Sequence, residues 1–143
     1  GMSVVVWNRS ALRDVSEGVM VCEDVLQVAK SADVVSVHVG ATDSPLLDKN
    51  FFDCMREDSI FVNVARGNVI DEEALLTAID LKHIRVGLDV FQGEPSEAEA
   101  NFTNKLASHP NVVCTHHIGA ATTQAQLAVG QLVVEIVREF AES

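Results

Sequence analysis

Cysteine is scarce in this chain, and the few residues there are do not form a pattern. Cys22, Cys54 and Cys114 are widely spaced, odd in number and set in or beside apolar runs, with no CxxC or CxxxH spacing. A disulfide framework and a cysteine-based metal site are therefore not expected, and buried thiols in a reducing, cytoplasmic compartment are. Positive charge is also short: ten Lys and Arg stand against 21 Asp and Glu, a formal charge of −11. That balance repels nucleic acid and anionic membrane and points to small-molecule or protein partners. No apolar run approaches the ~20 residues of a membrane span, and no signal peptide opens the chain. Internal repeats and low-complexity segments are missing, and so is any GxGxxG turn. What is present is a 143-residue chain with 48% hydrophobic residues, enough for one globular domain with a real core.

The chain is organised around Ile60 to Pro95. Ile60, Phe61 and Val62 form an apolar run that passes through Asn63 to Arg66-Gly67-Asn68, so Arg66 is expected to leave the carboxyl end of a buried strand. Asp71 caps a helix, Glu72 and Glu73 load its first turn, and Ala74, Leu75, Ala78 and Ile79 supply its apolar face. A second strand, Val86 to Phe91, carries Asp89 inside it, and Gly93-Glu94-Pro95 closes it with a carboxylate on a turn. Strand, helix, strand in this order predicts a parallel pair with a right-handed crossover, with Arg66 and Glu94 on one edge of the sheet. Open α/β sheets bind ligands at that edge.

Around this unit the pattern predicts a strand at Val4 to Trp7, a helix over Val21 to Ser31, and a doubly buried strand over Asp33 to Val39. A short helix over Asp48 to Met55 follows. Beyond Pro95, Ser96 to Ser108 reads as a loop with a short helix, and Val112-Val113-Cys114 as a strand. Thr115 to Ala120 is the next loop, and Thr122 or Thr123 caps a long last helix with Ala128, Leu132, Ile136, Val137 and Phe140 on one side. Five strands alternating with helices give an α/β, doubly wound parallel sheet.

Arg66, Glu94 and His117 are the polar side chains that fall on strand-end loops. Singly each is weak: a lone Arg is more often a surface ion-pair partner, a Glu before Pro a solvated turn, and one of two adjacent His a packing residue. Together they form a kit. A guanidinium fork grips a carboxylate, an imidazole exchanges a proton near neutrality, and a neighbouring carboxylate orients that ring and favours imidazolium.

The wording NVARGNVIDEEALLTAI, then GLDVFQGEP, then NVVCTHHIGAATTQAQ resembles, in order and spacing, the D-isomer-specific 2-hydroxyacid dehydrogenases, and the ending GAATTQAQ is most similar to their D-3-phosphoglycerate dehydrogenase branch. The resemblance covers nearly the whole chain. It implies a Rossmann-like nucleotide-binding domain that uses NAD or NADP and a 2-hydroxy or 2-oxo acid substrate, with hydride passing between substrate C2 and nicotinamide C4. It implies that Arg66 binds the substrate carboxylate, that His117 is the general acid/base and that Glu94 hydrogen-bonds it. Asp89 matches the position that holds the carboxamide, and Val39, Val64, Ala65 and the loop of His117, Ile118, Gly119 and Ala120 match positions lining the dinucleotide. His116 stands where the family usually has Pro, which leaves the loop less stiff, and Gly40 replaces another usual Pro.

Asn8-Arg9-Ser10 occupies the position where an acidic residue grips the adenosine ribose of NAD and repels a 2′-phosphate. A neutral side chain, a cation and a hydroxyl fit NADP; a solvated turn in an NAD enzyme is the plain alternative. In the resembled family the GxGxxG strand, turn and helix lie just before a strand like the one at Val4, so the expectation for residues 1–143 is a dinucleotide-binding domain incomplete at its N-terminus. Residues 122–143 are then the helix returning toward a substrate domain outside this sequence. Such a fragment is expected to be inactive alone, and its parent to be a homodimer oxidising a D-2-hydroxy acid such as 3-phosphoglycerate in serine synthesis. The alternatives are a glyoxylate or hydroxypyruvate reductase and a non-catalytic, dinucleotide-sensing corepressor-like protein; the Gly-Ala-Ala-Thr after His117 favours an enzyme.

Overall fold

The computed structural model describes residues 1–95 and 102–142. Among the described residues six short parallel strands form two sheets. The smaller pairs β1 (Val4–Val6) with β2 (Val19–Val21), in register Val4 to Val19. The larger runs in the order β3 (Val34–Val37), β4 (Ile60–Asn63), β5 (Arg85–Leu88), β6 (Val112–Cys114). Helix α1 (Val25–Ser31) lies between β2 and β3, α2 (Lys49–Cys54) between β3 and β4, and α3 (Glu72–Lys82) between β4 and β5. The last helix, α4 (Thr123–Glu142), follows β6.

Local chemistry sets the helix ends. Asp24, Asp48 and Asp71 each turn a carboxylate back onto the free amides of the first turn of α1, α2 and α3. The three helices bury Ala29, Phe51, Phe52, Leu75 and Ile79 against Val35, Val37, Phe61, Val86 and Leu88 of the large sheet. Phe51, Phe52 and Phe61 stack edge-on with ring centroids 5.3 to 6.5 Å apart. This packed face fixes β4 and β5, and with them the loops at their carboxyl ends. The opposite face is open, with Val34 46% and Val113 78% exposed.

Several expectations need correction. Of the thiols expected to be buried, Cys22 is, but Cys54 is half-buried and Cys114 exposed. Val21 belongs to β2, not to a helix: after a turn at Gly18 (φ 85) the β-branched pair Val19 and Val21 ladders with β1, α1 starts at Val25, and Glu23 lies outside it. The strands of the large sheet are shorter than their apolar runs, and β5 stops at Leu88, so Asp89 is the first residue beyond the strand. The short helix expected near Leu106 is present as one 3-10 turn, Leu106–Ser108, and residues 96–101 of the segment before it lie outside the described residues. The final helix starts as its sequence predicts, with Thr122 Oγ1 accepting from the amide of Ala125 at 3.2 Å. Its apolar side is nonetheless exposed, with Leu132, Ile136 and Val137 all more than half accessible. Among the described residues no helix is long and apolar enough to cross a membrane.

Candidate functional site

Asn63, the last residue of β4, is wholly buried and turns the chain. Its Nδ2 donates to the carbonyl of Arg66 at 2.9 Å, and its Oδ1 accepts from the amide of Ala65 at 3.0 Å, which ties both polar ends of the side chain to the following loop. Arg66 leaves the strand end in extended conformation, as its place in the sequence predicts, with Nη1 donating to the Ala65 carbonyl at 2.6 Å. It makes no ion pair among the described residues. Gly67 presses on the next loop: a Cβ there would stand 2.0 Å from the carbonyl oxygen of Phe91. The Arg66 loop and the Glu94 loop are therefore in direct backbone contact.

Past β5 the chain makes a compact loop. Gly93 takes a left-handed φ of 67°, and the amide of Phe91 donates to Glu94 Oε2 at 3.2 Å. Glu72, in the first turn of α3, holds the loop from below, accepting from the amide of Gln92 at 2.6 Å and from Asn104 Nδ2 at 2.7 Å. Glu94 is thus braced on one carboxylate oxygen and free to use the other. That second oxygen meets His117 Nδ1 at 2.6 Å, with the imidazole 47% and the carboxylate 30% exposed. A carboxylate only accepts, so Nδ1 carries the proton and Nε2 is left for another partner.

The loop after β6 brings His117 there. The Thr115 amide extends the ladder to the Leu88 carbonyl at 2.9 Å, and the His117 amide donates to the Asp89 carbonyl at 2.8 Å. Asp89 is 4% exposed. Its Oδ1 accepts from the Thr115 hydroxyl and from the amide of Ile118 at 2.9 Å, and its Oδ2 from the amide of Gly119 at 2.8 Å. Burial pushes this carboxyl up, but the Thr115 hydroxyl, the two amides and the charge of His117 outweigh it and hold the group below the usual carboxylate range. Because the folded value lies below the unfolded one, near 3.9, the stabilisation is complete above that pH and drains away as pH falls through the folded value. We therefore expect Asp89→Asn, which sets an NH2 group or a neutral oxygen against three donors, to lower stability at pH 7 by about 1–3 kcal/mol. In urea titrations from pH 7 to pH 3 the gap between parent and variant should narrow; a gap that stays constant or widens in acid would contradict the assignment.

Of the residues singled out in the sequence, the structure brings Glu94, His117, Asp89, Ile118 and Gly119 into one hydrogen-bonded cluster. Arg66 stands on the neighbouring loop, which Gly67 presses against the Glu94 loop at Phe91, and its guanidinium bonds the Ala65 carbonyl rather than a member of the cluster. Ala120 is tied to α4, its carbonyl accepting from Gln126 Nε2 at 2.8 Å. Val64 lines a shallow open cleft of about 190 Å3 with Val62, Gly87, Val113, Thr115 and Asp89, while Ala65 and Val39 pack half-buried against the core. Asn8, Arg9 and Ser10 form an exposed turn after β1, closed by Asn8 Nδ2 to the Ser10 carbonyl at 3.0 Å, and they make no hydrogen bond to the cluster among the described residues. Sequence reasoning passed over Asn63, Thr115 and the bracing role of Glu72. Asn63 could have been noticed as an amide ending an apolar run, and Thr115 as a hydroxyl following one; nothing local marks Glu72 as more than a first-turn acid.

Parallel strands joined by helices, with polar groups gathered on their carboxyl edge, define a nucleotide-binding α/β domain. Residues 1–119 match the D-isomer specific 2-hydroxyacid dehydrogenase, NAD binding domain family, and the chain belongs to it. The chain is 40% identical over 119 residues to the D-3-phosphoglycerate dehydrogenase of Bacillus subtilis (strain 168), which covers 81% of this chain and 22% of that protein. It is 42% identical over 121 residues to the hydroxypyruvate reductase of Thermotoga maritima, which covers 82% of this chain and 39% of that one. A D-isomer specific 2-hydroxyacid dehydrogenase from Xanthobacter autotrophicus Py2, solved in complex with NADPH and MES, superposes with a TM-score of 0.74 at 30% identity over 100% of this chain and 59% of its own. This chain thus spans less than half the length of either curated relative.

Proposed function

We propose that this chain supplies the coenzyme-facing sheet and the acid/base pair of an NAD(P)-dependent oxidoreductase that interconverts a D-2-hydroxy acid and its 2-oxo acid. The observation that carries the reading is the 2.6 Å contact of His117 Nδ1 with Glu94, on a loop edge where the imidazole is 47% exposed. When bound, the coenzyme supplies the acceptor or donor of the hydride at substrate C2. His117 Nε2 takes the hydroxyl proton as the C2–H bond is lost, or returns it in the reverse direction. Glu94 fixes the ring and offsets the charge that appears on it. Arg66 offers a fork for the substrate carboxylate.

The donor set fits the coenzyme. The cleft between Val62, Val64 and Val113 offers apolar walls of the kind that take a flat ring, and Asp89 Oδ2, bonded only to the Gly119 amide, keeps a lone pair for a carboxamide N–H. At the far end of the dinucleotide, Asn8, Arg9 and Ser10 lack the carboxylate that would repel a 2′-phosphate, which favours NADP. We expect NADPH to be used more efficiently than NADH, and Arg9→Ala to lower that ratio roughly tenfold, the weight of one charge-assisted contact; equal ratios in parent and variant would remove Arg9 from the coenzyme site. The substrate candidates are 3-phosphoglycerate, glyoxylate and hydroxypyruvate, and the setting is a cytoplasmic homodimer. The direct test is turnover of D- and L-2-hydroxy acids by the enzyme that carries this chain. The reading requires oxidation of the D-isomer with a nicotinamide coenzyme, and dinucleotide binding without turnover would favour a sensing protein instead.

A further inference from the structure

The carboxyl edge holds an arrangement that the substrate and coenzyme contacts leave unexplained. Three successive amides turn to one residue: His117 to the carbonyl of Asp89, Ile118 to Oδ1 and Gly119 to Oδ2, all within 2.9 Å. Consecutive N–H groups that converge form an anion-binding concavity. Here the occupant is a side chain of the protein itself, buried and fixed to the sheet by the Asp89 amide bonding the Asn63 carbonyl at 3.1 Å. The Thr115 hydroxyl adds a fourth donor, sharing Oδ1 with the amide of Ile118.

His117 begins this run with φ at 58°, in the left-handed region that non-glycine residues rarely occupy. Such a backbone persists only where its surroundings over-determine it, and it clusters where a side chain must be aimed. At Gly119 a Cβ would lie 2.8 Å from Asp89 Oδ2, so any side chain there would push the amide off the carboxylate. The same carboxylate stays ionised at neutral pH, which keeps the concavity filled.

We infer that Asp89 and Thr115 are positioning residues for His117: the carboxylate, seated on the amides of Ile118 and Gly119 while the Asp89 carbonyl takes the amide of His117, sets the direction in which the imidazole leaves the main chain and so aims it at Glu94. The inference rests on the dehydrogenase reading of His117. A misplacement of about 1 Å at a reacting group costs on the order of a hundredfold in rate, so a loop that fixes the ring has a kinetic consequence without touching substrate. The role is compatible with a coenzyme contact, because Oδ2 accepts only one bond from the protein.

Thr115→Val, which keeps shape and removes one hydroxyl, separates the two roles. The expected result is a kcat lower by about tenfold, coenzyme Kd within about twofold of the parent, and faster amide exchange at residues 117–119. Thr115→Ser should restore both readings, and Gly119→Ala should lower kcat similarly while leaving the Thr115 hydroxyl in place. If Thr115→Val instead weakens the coenzyme while kcat and amide protection hold, or changes nothing, the positioning role is wrong and the dehydrogenase reading stands. If His117→Gln leaves turnover intact, that underlying reading falls, and the role given to Asp89 falls with it whatever the exchange rates show.

Discussion

His117→Gln is expected to lower kcat/KM for D-2-hydroxy acid oxidation by roughly 10²- to 10⁴-fold, the usual weight of a general acid/base. Glutamine keeps a polar side chain of similar reach but cannot accept and return a proton near neutrality. The adjacent imidazole is the internal control. His116 makes no hydrogen bond to Glu94, whereas His117 does at 2.6 Å, so His116→Gln should stay within a few-fold of the parent. Glu94→Gln should fall between them, because it keeps the ring's neighbour and loses the charge. Steady-state kinetics on the three variants distinguish the roles; a catalytic loss at His116 equal to that at His117 would mean that the loop, and not one ring, had been disturbed.

Gly67→Ala should produce the largest loss of stability of any conservative change in the strand-end loops. Its added methyl would sit 2.0 Å from the Phe91 carbonyl oxygen, 2.1 Å from its carbon and 2.6 Å from the Gln92 amide nitrogen, all backbone atoms of a loop braced by Glu72. Overpacking a yielding core costs about 1–3 kcal/mol, and two braced backbones yield less, so about 3 kcal/mol or more is expected here. Gly93 gives the comparison. Nothing lies within 4 Å of a Cβ there, and the cost of Gly93→Ala is only that of a left-handed φ, about 1–2 kcal/mol. Urea midpoints at constant m-value measure both. A Gly67→Ala midpoint at or above that of Gly93→Ala would show that the Arg66 and Glu94 loops are not in the contact described, and the convergence of the site would lose its support.

How much of this was legible in the sequence depends on the range of the interactions. The α3 unit was readable almost to the residue, because Asp71, the acidic first turn and the apolar spacing are all local. The strand Val19–Val21 was not: Val-Met-Val, two β-branched residues around a methionine, looks like a helix entrance until a partner at Val4–Val6 decides the matter. The site shows the same division. Arg66, Glu94 and His117 stand at strand ends beside turn signals and could be named, and the meeting of His117 with Glu94 follows from parallel strands that deliver both loops to one edge. Glu72 and Thr115 act through partners 20 to 32 residues away, of which a first-turn acid or a hydroxyl carries no mark in its own neighbourhood, whereas the Asn63 side chain bonds Ala65 and Arg66, two and three residues on, and its place at the end of an apolar run was there to be read. Asp89 was picked out for a coenzyme contact implied by resemblance, yet the bonds it makes within the protein, to Thr115, Ile118 and Gly119, could be seen only once the loop had a shape.

The central claim is that one guanidinium, one carboxylate and one imidazole serve a single 2-hydroxy acid. A crystal structure of the enzyme that carries this chain, with coenzyme and a 2-oxo acid, tests it most directly. The account predicts the Arg66 guanidinium on the substrate carboxylate and His117 Nε2 within about 3.2 Å of the C2 oxygen, with Nδ1 still on Glu94. A substrate bound elsewhere, or an imidazole turned so that Nε2 meets only solvent, would contradict it.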